Sequence, residues 1–151
     1  MTTATGLLLV HAAATCFMAG LIWVVQRVHY PLFARIGPAE FTRYEREHMD
    51  RIGPIVGPAM LVEMGCAIWL VAQRPPAVDA ALPITGLIML ILIWLSTALI
   101  QGPTHLRLTR GHDEALIRTL VLSNWLRTGL WSLRSIIALA MIAQSMPGGA
   151  G

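Results

Sequence analysis

The sequence predicts an all-α integral membrane protein: a four-helix bundle forming a single transmembrane domain over residues 1–151. Three observations predict it. Of 151 residues, 56% are hydrophobic and only 13% are charged, about half the charged share of an average soluble domain. Four apolar runs, at 6–25, 55–72, 82–100 and 120–143, hold 18 to 24 residues each, close to the roughly 20 needed to cross a hydrocarbon core. Backbone polar groups in lipid have no water to bond, so runs of this length read as helices, and the first partner is the bilayer itself.

Helix 1 follows MTTATG, which lacks a positively charged leader, so it reads as a retained span rather than a signal peptide. Between helices 1 and 2, Ile36-Gly37-Pro38 and Ile52-Gly53-Pro54 each put proline where a helix can begin without losing a needed N–H. This predicts a separate short cytoplasmic helix over about 39–51, ahead of helix 2. Arg74-Pro75-Pro76 is expected to end helix 2 and Gly102-Pro103 to end helix 3, while Asp113-Glu114 suits the first turn of helix 4. Ala12, Cys16 and Gly20 share small-xxx-small spacing, which predicts close helix contacts and admits a homo- or hetero-oligomer.

Eleven basic residues, all arginine, outnumber eight acids, but the excess is local, so nucleic acid is not the partner. Eight arginines fall in the first and third connecting regions and one, Arg74, in the second. The positive-inside rule then puts both termini outside the cytoplasm of a bacterial-type inner membrane, in a multi-pass topology. The two cysteines, 50 residues apart in apolar runs, form neither a disulfide framework nor a zinc pattern.

Ionisable residues inside a span are costly and mark function by default. His11, Glu63, Arg127 and Arg134 are four such residues. On helix 4, Asn124, Arg127, Thr128, Trp131, Arg134 and Ser135 recur at spacings of three and four, forming one inward stripe. Glu63 and Arg127 lie at similar depth and are expected to pair. His11 and His29 are five turns apart on helix 1, about 27 Å along the axis, and cannot share one site.

At the cytoplasmic end the topology collects Gln26, His29 and Tyr30 from helix 1, Glu45 and His48 from the short helix, Gln101 and His105 from helix 3, and Asn124 and Arg127 from helix 4. Glu45-x-x-His48 has the i, i+3 spacing that lets an oxygen and a nitrogen ligand approach one ion. His29, His48 and His105, with Glu45 as a fourth, are therefore the expected metal ligands. His29, His105 and His11 are the candidates for holding a cofactor, a transition metal or a haem. Arg127, Asn124 and Glu63 are the candidate catalytic residues, with Arg127 and Asn124 orienting an anionic or carbonyl-bearing substrate.

The run His11 … Ala19-Gly20-Leu21 … Arg27 … His29-Tyr30 resembles the first helix of the membrane-embedded protoporphyrinogen oxidase of bacteria. That resemblance implies haem and porphyrin chemistry, although the lysine of that family's third span has no counterpart here. Asn124-Trp125-Leu126-Arg127-Thr128 is similar to anthrone-oxygenase-like membrane proteins. The functional expectation is a metal- or haem-dependent oxidoreductase or oxygenase acting on a hydrophobic small molecule. The alternative is a small carrier or an accessory or structural subunit of a membrane complex.

Overall fold

The computed structural model describes residues 3–146. The chain forms four long helices: α1 (Thr3–Phe33), α2 (Pro38–Ala72), α3 (Ala81–Leu108) and α4 (Glu114–Ser145). There is no strand among the described residues. All four helices are long and apolar enough to cross a membrane. At 1.5 Å per residue they run about 40–50 Å, so each outreaches a hydrocarbon layer of about 30 Å.

Short connections make sequential helices antiparallel neighbours. They close a ring in which α1 packs on α2 and α4, and α3 packs on α2 and α4. The α1–α2 and α3–α4 connections define an arginine-rich end. The start of α1, the end of α4 and the α2–α3 connection define the opposite, terminal end. Asp113 caps α4, its carboxylate accepting from the backbone N–H groups of Ala115 and Leu116 at 2.9 and 3.1 Å. Outward faces carry exposed Leu61, Leu99, Leu122 and Ile136, a surface suited to lipid. The larger apolar core lies toward the arginine-rich end around Ile22, Phe33, Phe41, Ile93, Leu120 and Trp131. A smaller one, of Leu8, Leu70, Val78 and Met141, lies toward the terminal end.

Three local expectations are corrected. The segment 39–51 is helical but continuous with helix 2, because α2 runs unbroken through Gly53-Pro54 and Gly57-Pro58. A glycine before each proline lacks the Cβ that would clash with the proline ring, which relaxes the usual bar on helical geometry there. Nor does helix 3 stop at Gly102-Pro103; it continues to Leu108. Of the small-residue stripe, Ala12 is buried in the bundle, whereas Cys16 and Gly20 are exposed and a Cβ added at Gly20 would meet nothing within 4 Å.

Candidate functional site

Two widened turns prepare the arginine-rich end. Val25–His29 in α1 and Thr97–Gln101 in α3 are π-helical. The N–H of Tyr30 reaches back five residues to the carbonyl of Val25, and that of Gly102 to Thr97. Each turn is followed by one residue and then a proline, Pro31 or Pro103. Proline donates no hydrogen bond and its ring crowds the carbonyl four residues back; the wider turn accommodates both effects. It also inserts one residue into the helical register, which re-aims the side chains that follow.

Those side chains form a continuous polar cluster. Tyr30 Oη lies 2.9 Å from His105 Nε2, and His105 Nδ1 lies 2.5 Å from Glu45 Oε1. His29 Nε2 lies 2.8 Å from His48 Nδ1. The His48 and His105 ring centres are 5.4 Å apart. Glu45, Tyr30, His48 and His105 are all buried. Fully buried Phe33 sets its ring edge-on against His29 and His48, with centres 5.0 and 5.3 Å away. One proton assignment satisfies the Tyr30–His105–Glu45 chain: the phenol donates to Nε2, and the protonated Nδ1 donates to the carboxylate. The second Glu45 oxygen accepts no hydrogen bond from the described residues.

Helix α4 supplies the other wall. Its polar stripe faces inward, with Asn124, Arg127, Thr128, Trp131 and Arg134 all buried. Gln26 accepts from the Asn124 amide at 2.9 Å, and the Asn124 oxygen accepts from Arg127 Nη1 at 3.2 Å. The Arg127 guanidinium lies beside the Tyr30 hydroxyl and 5.2 Å from the centre of the Trp131 ring. Arg127, Tyr30, His48, Gln101 and His105 line a cavity of about 310 Å³ whose remaining walls are mostly apolar. A second cavity, about 380 Å³, is lined by His29, Tyr44, Glu47 and Arg51, and shares His48 with the first.

The expected Glu63–Arg127 pair does not form. Arg134, two turns farther along α4, donates to Glu63 from Nε at 3.1 Å and from Nη2 at 2.9 Å. Thr15 and Trp131 add bonds of 2.9 and 3.0 Å, so Glu63 is saturated. Arg134 Nη1 also donates to the Gly86 carbonyl. His11 belongs to this second cluster, with Nε2 3.5 Å from Arg134 Nη2, and not with the histidines at the other end.

His29, His48 and His105 do converge, with Glu45 beside them, but as a hydrogen-bonded cluster. Among the described residues, no three His, Cys, Asp or Glu side chains are disposed to hold a metal ion. Both His105 nitrogens are engaged by Tyr30 and Glu45. The His29 and His48 rings touch, with centres 4.4 Å apart, leaving no slot for a flat macrocycle between them. Tyr30, which the sequence places at this level without a role, is the residue that joins His105 to Arg127. Its adjacency to both His29 and Pro31 is the signal that marks it. In comparisons with known proteins, the chain matches no protein family, no curated protein and no solved structure.

Proposed function

We propose that this protein is a multi-pass plasma-membrane enzyme that acts on a hydrophobic, oxygen-bearing small molecule by proton transfer at the Tyr30–His105–Glu45 chain. The observation that carries the reading is a buried phenol–imidazole–carboxylate sequence bonded at 2.9 and 2.5 Å against an apolar-walled cavity. A carboxylate on Nδ1 holds the imidazole in the tautomer that accepts a proton at Nε2, the logic by which a base is oriented toward an acidic O–H. The Arg127 guanidinium lies beside the Tyr30 hydroxyl, where negative charge develops as the phenol gives its proton to His105. As the phenolate, Tyr30 takes a proton from a hydroxyl of the bound molecule, while His105 holds the first proton until it is returned. The arginine asymmetry supports a cytoplasmic position for this end, with both termini outside.

A second reading adds a redox metal and makes the protein an oxidoreductase. It is favoured by the approach of the His29 and His48 ring nitrogens to 2.8 Å, from which a shift of about 0.5 Å would reach the spacing of two imidazoles on a tetrahedral ion with bonds of about 2.0–2.1 Å.

The test incubates purified protein in nanodiscs with a total membrane-lipid extract and compares wild type with Tyr30→Phe by untargeted mass spectrometry. A compound consumed by the wild type alone supports enzymatic action. No difference leaves a carrier or an accessory subunit. Metal analysis and an absorption spectrum of the same preparation decide the second reading.

A further inference from the structure

The geometry points to a carboxylate-bearing, single-chain amphipath as the molecule that fills the 310 Å³ cavity, with its head on Arg127. This deepens the proposed function by naming the class of substrate, and it rests on the same cavity.

The argument begins with charge. Two guanidinium groups are buried in the bundle, and their surroundings differ. Arg134 is neutralised by Glu63 at 2.9 Å. Arg127 is 5% exposed and has no carboxylate partner among the described residues. Its Nε, also buried, finds no acceptor among the described residues. Its protein contacts are a neutral amide oxygen, a phenol and the face of an indole. A buried cation is costly without a counter-charge, and a planar fork of donors matches a carboxylate. The remaining interior acid, Glu45, is bound to His105 and separated from Arg127 by that ring and the Tyr30 hydroxyl.

The cavity accommodates the rest of such a molecule. Away from Arg127 it is walled by Met18, Leu21, Val56, Met60 and Trp94. On α2 the wall includes Gly53 and Gly57, where an added Cβ would meet nothing within 4 Å, so that side stands open. The volume is at the lower end of the roughly 300–1,000 Å³ typical of small-molecule sites. That suits one chain rather than a two-chain lipid. A head group held on Arg127 lies next to Tyr30, within reach of the proton-transfer chain.

The experiment is native mass spectrometry of the purified full-length protein with octanoate, 1-octanol or octylamine. One octanoate should bind per chain, half-saturating at a concentration about tenfold or more below that for the alcohol or the amine. Arg127→Gln should abolish the preference, Arg127→Lys should weaken but keep it, and Val56→Trp should block all three probes. Equal binding of alcohol and acid, a preference that survives Arg127→Gln, or no adduct at all would overturn the inference. If Arg127→Gln does not fold, the wild-type preference and the Val56→Trp block decide alone. Turnover is read separately, on the wild-type protein with lipid extract. Selective binding without lipid turnover therefore sinks only the enzymatic reading, and turnover without selective binding sinks only this one.

Discussion

The Glu63 carboxylate is clasped by the guanidinium of Arg134 through two hydrogen bonds, from Nε at 3.1 Å and Nη2 at 2.9 Å, with both side chains almost wholly buried. An ion pair at that depth is costly to break from one side and cheap to remove whole. Either Glu63→Leu or Arg134→Met alone should destabilise the bundle by about 3–5 kcal/mol. The double variant should lose much less than the sum, measured by thermal unfolding in detergent. The same cycle with Arg127→Met should show a smaller coupling to Glu63, since the two meet through Trp131 rather than directly. A larger coupling to Arg127 would reverse the assignment.

The proton-transfer chain makes a graded prediction. Removing the acid–base group by His105→Ala or Tyr30→Phe should lower turnover of the compound identified from lipid extract by about 10²–10⁴-fold. Glu45→Gln should also lower it, because an amide on Nδ1 no longer selects the tautomer by charge. Far-ultraviolet circular dichroism should be unchanged in Tyr30→Phe, which keeps the ring packing against Phe33 and His105. Full activity in Tyr30→Phe would remove the phenol from the mechanism.

Topology is checked in a background lacking Cys16 and Cys66. Asp79 is exposed in the α2–α3 connection at the terminal end. Asp79→Cys should react with an impermeant thiol reagent added outside intact cells and should be protected from one confined to the cytoplasmic side. Labelling only from the cytoplasm would invert the orientation.

Gly102 tests the widened turn in α3. A Cβ there would stand 3.1 Å from the Thr97 carbonyl, the group that its own N–H engages. Gly102→Ala should therefore shift the turn, cost about 1–3 kcal/mol, and lower turnover by displacing His105. Gly20→Ala is the control: with open space around it and a better helix former in place, its melting temperature should hold or rise.

Much of this architecture is legible in the sequence because membranes impose a simple rule. Unbroken apolar length declares the helices, and the three-and-four spacing from Asn124 to Arg134 declares the inward face of α4. The convergence of His29, His48 and His105 follows from connectivity alone, since alternate connections meet at one end. Finer depth does not follow. Arg127 and Arg134 share a face and differ by two turns, about 10 Å, which is less than depth along an unseen α2 can be judged. Gly53-Pro54 reads as a break because proline usually is one; whether glycine rescues it depends on packing around α2. The π turns are invisible to a 3.6-residue period, and they set where Tyr30 and His105 point.

Trp131 gives the two polar clusters a different significance. Its indole is wholly buried, its single N–H is committed to Glu63, and its ring lies under Arg127. No side-chain hydrogen bond among the described residues joins the Arg134 cluster to the Tyr30 cluster. A bundle with ionisable groups near both of its ends is a potential short circuit for the proton gradient across its membrane. The indole stands between the two clusters as a donor only, its one N–H already given to Glu63, so it offers no acceptor through which a proton could be relayed. Exchanging Trp131 for alanine should open space between the two clusters, measured as faster collapse of a pH gradient in reconstituted vesicles.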